Sequence, residues 1–216
     1  AMAPSGLMAI ENIGSSGKTN EFYKSAASSC PSATSQTTLE INNIRTILLN
    51  GGDMWWDLND ARFEVPKIDP PGSAPSINSL FSGAVWLGGI DAGGNLKIAA
   101  QTYRQSGNDF WPGPLDATAT INVQTCQDYD RHWVVYGTDI ADFLNESFPC
   151  DLCRQKYPSI FEWPGKGNPD AKGKSDVSLV ILDELAPFKD VNGNGIYDPV
   201  NGDYPVINPT CGDNYA

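Results

Sequence analysis

The chain is poor in histidine, with His132 alone, and poor in positive charge, with 14 Lys and Arg against 26 Asp and Glu. A formal net charge of -12 makes nucleic acid and anionic membrane surfaces poor partners and favours divalent cations. No apolar run reaches the roughly 18 residues of a membrane-spanning helix, so membrane insertion is not expected. The opening stretch AMAPSGLMAIENIGSSGK lacks the charged start and apolar core of a signal peptide, so any export signal is expected to be gone already. Nothing repeats at a fixed period. His132 has the chemistry of a general base, but no Ser or Cys sits in a nucleophile motif such as G-x-S-x-G. SSGKT at residues 15–19 lacks the first glycine of a phosphate loop and has no apolar strand before it, which excludes nucleotide binding.

What the chain does have is length and apolar mass. Its 216 residues are 40% hydrophobic, with six Trp, eight Tyr and eight Phe, enough for one large domain or two small ones. Five cysteines, Cys30, Cys126, Cys150, Cys153 and Cys211, lean towards an extracellular setting, and the odd count leaves one without an internal partner. Cys150 and Cys153 form a C-x-x-C that reads as a short-loop disulfide, a redox pair or half of a zinc site. The disulfide is favoured, because no clear strand precedes the pair and further zinc ligands are scarce.

Residues 1–37, rich in Ser, Ala, Thr and Gly, show no period and read as an extended arm. LEINNIRTILL (39–49) fits strand or short helix. SLFSGAVWLGGI reads as a strand buried on both faces, DAGGN as a turn, and LKIAAQTYR as the alternating return strand of a hairpin. ATINVQT offers another short strand. Thr138 sits where an N-cap belongs, predicting one helix over 139–146 with Ile140, Phe143 and Leu144 on one face. VSLVILDEL reads as a strand or a buried helix.

The most informative stretch is FKDVNGNGIYDPVNGDYP (188–205), with three Asp, three Asn and three Gly in eighteen positions. Ca²⁺ takes six to eight hard oxygen ligands, which a loop supplies when Asp or Asn recur at alternate positions around a turning Gly. Asp190, Asn192 and Asn194 occupy positions one, three and five, Gly195 position six, the Ile196 carbonyl position seven and Asp198 position nine. Position twelve is Asn201 instead of a bidentate Glu, so Asp203 is expected to close the shell if the PVNG segment bulges. The competing reading is a solvated cluster of Asx turns. Either Tyr197 or Tyr204 is expected to pin the loop to the domain, and a bound ion to stiffen a linker between this domain and whatever follows Ala216.

Six tryptophans fit core packing best, although Trp55 and Trp111 sit in loops beside polar residues and are candidates for stacking on a sugar ring. Carboxylate pairs, Asp128 with Asp130 and Asp183 with Glu184, have the composition for glycoside hydrolysis, but such pairs arise by chance in an acidic chain.

NNIRTILLNGGDMWWDL, FEVPK, LFSGAVWLGGIDAGGNLKIAAQTYRQSGNDFWPGPLD and LAPFKDVNGNGIYDPVNGDYP resemble a recurrent N-terminal region of large secreted proteins of Bacteroidota. Such proteins usually end in a type IX secretion sorting domain. The resemblance covers roughly residues 40–205 and is most specific in AAQTYRQSGNDFWPGP. It implies export across the outer membrane, a place at or beyond the cell surface, and a longer parent chain; it carries no enzymatic activity. The family's acidic loop often has Asp where this chain has Asn194, which implies a lower calcium affinity here.

The expected fold is mainly β, β-sandwich-like, with a buried hairpin, long irregular loops and one short helix. Its expected parts are an arm (1–37), a β domain (38–187) and an acidic calcium-binding segment (188–216). The expected function is that of a non-catalytic extracellular building block of a surface layer, adhesin or filament, contacting other copies of itself or neighbouring domains, with the arm donating a strand to an adjacent subunit. A carbohydrate-binding module and a secreted hydrolase are the alternatives.

Overall fold

A computed structural model describes residues 11–12, 30–100, 109–118 and 120–207. The chain divides into two compact units, Ser5–Arg131 and His132–Ala216 with Ala1–Pro4. The described fold is mainly β, its strands pairing antiparallel in every sheet.

In the first unit, strands β2 (Gln36–Ile41) and β3 (Ile44–Leu49) form a hairpin whose last pair is Ile41 with Ile44. The turn is therefore Asn42-Asn43, and Asn42 takes a φ of 51°, a left-handed conformation that Asn tolerates. This settles LEINNIRTILL as two strands. β3 is also flanked by β4 (Asp53–Met54) and β5 (Phe63–Glu64), and β6 (Asn78–Leu80) and β7 (Gly83–Ala84) extend the sheet to six strands. Across it, Arg45 donates to Glu64 (2.8 Å), Glu40 (3.0 Å) and the Ile68 carbonyl (2.8 Å). Asp130 gathers the start of β2 and the end of β3, accepting from the N–H of Thr34 (2.9 Å) and Ser35 (3.1 Å) and from Asn50 Nδ2 (3.2 Å).

A second sheet pairs β8 (Trp86–Ile90) with β9 (Leu96–Ala100), and β9 with β1 (Glu11–Asn12). The predicted hairpin is present, its turn held by Asp91 Oδ1, which accepts from the N–H of Gly93 and Asn95 at 2.9 Å each. It is not buried: Trp86 and Ile90 are 69% and 74% exposed, and only Ala99 is enclosed. Among the described strands β8 pairs with β9 alone, so its apolar run is not enclosed within a larger sheet. The two described residues of the arm's early part, Glu11 and Asn12, pair with the chain's own β9; most of the arm and residues 15–19 lie outside the described residues.

The stretch predicted as a strand over 119–125 instead opens helix α1 (Val123–Asp128), because Asn122 Oδ1 accepts the Thr125 N–H at 2.9 Å and caps it. Trp111, Ile121 and Cys126 form a small core there, joined by Cys30 and Leu115.

The second unit holds α2 (Gly137–Phe143), α3 (Cys153–Lys156) and α4 (Pro158–Phe161), so the described residues form four short α-helices where one was expected. α2 begins before the expected start, with Tyr136 and not Thr138 as its N-cap and no side-chain cap bond. Ile140 and Phe143 are buried as expected, whereas Leu144 is 38% exposed. Phe143 meets Phe148, Tyr157 and Phe161 edge-on at centroid separations of 5.0, 5.5 and 6.4 Å. VSLVILDEL forms neither a strand nor a helix. It runs extended with Leu179 and Ile181 buried and Val180 and Leu182 exposed, its backbone bonded to Ala171 (2.9 Å) and Gly167 (2.8 Å). Strands β10 (Phe188–Lys189) and β11 (Tyr204–Pro205) pair at the base of the acidic loop.

Disulfides join Cys30 to Cys126 and Cys150 to Cys153, which resolves the C-x-x-C and belongs to an oxidising environment. Cys211 lies outside the described residues. No described helix is long and apolar enough to cross a membrane.

Candidate metal centre

The β10–β11 pair closes the acidic loop like a clasp, leaving residues 191–196 exposed and burying most of 197–206. Two glycines seat it. A Cβ on Gly165 would stand 2.6 Å from the Tyr197 side chain, and one on Gly167 would collide with Ile196. Tyr197 is fully buried, donates its hydroxyl to the Ile160 carbonyl at 2.7 Å and meets Phe188 edge-on at 5.2 Å. Tyr197 therefore pins the loop, as one of the two tyrosines was expected to, and Tyr204 is buried too.

The side chains of Asp190, Asn192, Asn194, Asp198 and Asp203 organise the turn from within. Asp190 accepts from the N–H of Gly193 (2.6 Å), Asn194 (3.2 Å) and Gly195 (2.7 Å). Asn192 Oδ1 accepts from the Asn194 N–H (3.0 Å), and Asn194 Oδ1 from the Ile196 N–H (2.8 Å). Both Asn side chains then send their amide Nδ2 to the Asp198 carboxylate, at 3.1 Å from Asn192 and 2.9 Å from Asn194. Asn201, at position twelve, does the same at 3.0 Å. Asp203 lies fully buried beneath, accepting the N–H of Val191 (2.8 Å) and of Asp198 (3.0 Å), with its carboxylate against that of Asp198.

Charge follows from this arrangement. Burial and the neighbouring Asp198 push the Asp203 carboxyl up to about 6, against the pull of its two backbone donors. Burial also raises Asp198, but hydrogen bonds from the Asn201 amide, from the Asp203 carboxyl and from the Asn192 and Asn194 amides together outweigh it and leave that carboxyl below its ordinary value. Burial drives the Tyr197 phenol well above its usual value, and the charge of Asp203 adds to this.

The donor set is all hard oxygen, the chemistry that suits Ca²⁺. Each carboxylate has about four lone-pair sites, so Asp190 and Asp203 retain acceptor capacity beyond their backbone bonds. The amide groups now aimed at Asp198 occupy the direction from which a cation would approach that carboxylate. They must turn aside for it. Asp203, the residue expected to replace the missing twelfth ligand, follows the Pro199–Asn201 turn and Gly202, which takes a φ of 105°. Sequence reading missed Asn201 as a donor to Asp198, and Gly165 and Gly167 as the seat; the PGKGN stretch carried that last signal.

A different group, Glu146 with Cys150 and Cys153, brings a carboxylate oxygen and two sulfurs within 4.8 Å of one another. Both sulfurs belong to the disulfide, so neither is a thiolate ligand.

The remaining predicted residues separate. Trp111 is 3% exposed and belongs to the core around Cys126, which removes it as a sugar platform. Trp55 is half-buried at a φ of 75°, edge-on to Phe63 at 5.3 Å and pressed against Gly83. Asp130 is committed to Thr34, Ser35 and Asn50, and Asp128 accepts from Gln124 at 2.7 Å, so that pair shares a structural role. Comparison with protein-family models, with curated proteins and with solved structures returns no match.

Proposed function

We propose that the chain is a non-catalytic structural module of the cell exterior, stabilised by Ca²⁺ bound in the loop 190–203. The observation that carries this reading is the convergence of Asp190, Asn192, Asn194 and Asp198 around one turn, with the buried Asp203 carboxylate against Asp198. Two carboxylates held together at a cost are relieved by a divalent cation. Asp190, Asn192, Asn194, the Ile196 carbonyl, Asp198 and Asp203 would hold the ion, and its role is to fix the loop. The disulfides, the acidic surface charge and the resemblance to secreted Bacteroidota proteins support a surface-layer, adhesin or filament building block that meets other copies or neighbouring domains.

The test is thermal unfolding of chelator-stripped protein titrated with CaCl₂, and with MgCl₂ at matched ionic strength. A ligand at about 100 times its Kd stabilises by about 2.7 kcal/mol, so Tm is expected to rise with Ca²⁺ and less with Mg²⁺. No saturable Ca²⁺ response would remove the reading. Light scattering across a protein dilution series tests self-association separately.

A further inference from the structure

Val200 lies between two of the proposed ion ligands, Asp198 and Asp203, in the short turn Pro199–Asn201. Its carbonyl oxygen accepts the backbone N–H of Cys150 at 2.9 Å. Phe148, two residues before that cysteine, covers Gly202: a Cβ there would sit 3.3 Å from the ring. Phe148 also meets Phe143 edge-on at 5.0 Å. Cys150 is bonded to Cys153, a buried residue that opens α3. The segment 148–153 therefore braces the part of the loop that sets the spacing of Asp198 and Asp203.

We propose that ion occupancy of the loop and the redox state of Cys150–Cys153 are thermodynamically linked. The intact disulfide tightens Ca²⁺ binding, and bound Ca²⁺ makes the disulfide harder to reduce. This linkage rests on the calcium reading. Reduction by a dithiol breaks the S–S bond, delivers two electrons and two protons to the two sulfurs, and leaves the reductant as its own disulfide. Residues 150–153 then regain conformational freedom, and the Cys150 N–H is no longer fixed under Val200. The turn loses its brace, and the ligands on either side must be ordered at the moment of binding. Linkage is reciprocal, so the factor by which the disulfide tightens binding is the factor by which Ca²⁺ lowers the equilibrium constant for reduction.

Two measurements decide it. Calorimetric Ca²⁺ titration compares the oxidised chain with C150S/C153S, in which Cys30–Cys126 stays intact; the expected weakening is at least about fivefold. Redox titration of the unaltered chain in reduced and oxidised dithiothreitol, with saturating CaCl₂ or with chelator, is read by alkylation and mass spectrometry. The fraction reduced at Cys150 and Cys153 should shift by the same factor, while Cys30 and Cys126, in the other unit, should shift less than about twofold. Should the double variant fail to fold, the redox titration alone decides. Equal affinities, or equal reduction with and without bound Ca²⁺, overturn the linkage and leave the calcium reading standing. An oxidised chain that binds no Ca²⁺ overturns both.

Discussion

The Tyr197 hydroxyl donates to the Ile160 carbonyl oxygen across 2.7 Å, tying the acidic loop to α4 through two residues with no solvent exposure. Tyr197→Phe keeps the ring on Gly165 and beside Phe188 but removes the hydroxyl donor to that carbonyl, leaving it the Trp163 N–H at 3.3 Å. The expected loss is about 0.5–1.5 kcal/mol of unfolding free energy, read by urea denaturation in the presence of chelator.

Asp203 sets the pH dependence of the ion-free second unit. Its carboxyl is raised from an ordinary 3.8 to about 6 in the fold, so the folded chain holds that proton more tightly than the unfolded one. This contribution is complete below about pH 4 and is lost as the pH climbs through about 6. In chelator, the stability of wild type relative to Asp203→Asn should therefore be greater near pH 4 than near pH 7. With Ca²⁺ the ionised carboxylate is favoured, and the Ca²⁺-induced rise in Tm should grow over the same interval. A pH-independent gap between the two proteins in chelator would contradict the assignment.

Gly167 takes a φ of 74° and has Ile196 directly above it. Gly167→Ala meets both a left-handed backbone and a collision, so a loss above roughly 1 kcal/mol is expected. The companion Ile196→Ala should recover part of that loss in the double variant; strict additivity of the two would separate the residues.

Asp130→Ala strips acceptors from the N–H groups of Thr34 and Ser35 and from the Asn50 amide. A buried carboxylate network broken on one side costs on the order of 3 kcal/mol. Hydrogen exchange should show the loss as faster exchange at Thr34, Ser35 and Asn50, with the loop 190–203 unchanged.

Local chemistry was legible wherever one or two residues dictate a backbone state. Asp91 with its glycines marks the β8–β9 turn, and alternate Asp and Asn side chains mark the loop from Asp190 to Asp198, because Asx bonds reach only a few residues. At Asn42-Asn43 and at Asn122 the turn and the N-cap override the apolar spacing around them, because a left-handed Asn and an Asn side-chain acceptor fix the backbone locally.

Burial was less legible. Trp86 sits in an apolar run and Trp111 in a loop beside polar residues, yet the first is 69% exposed and the second 3%. That difference depends on which elements come to cover each residue. Leu179 and Ile181 alternate with Val180 and Leu182 as a strand would, without a full ladder, since the partner loop offers bonds at only a few positions.

The sequence by itself determined the oxygen-rich turn, the hairpin turn at Asp91 and the scarcity of positive charge, all properties of near neighbours or of composition. The tertiary structure alone decided that Asp203 is enclosed against Asp198, that Val200 meets Cys150 and that Cys30 reaches Cys126. Those relations join residues whose separation along the chain carries no period, so only packing brings them together.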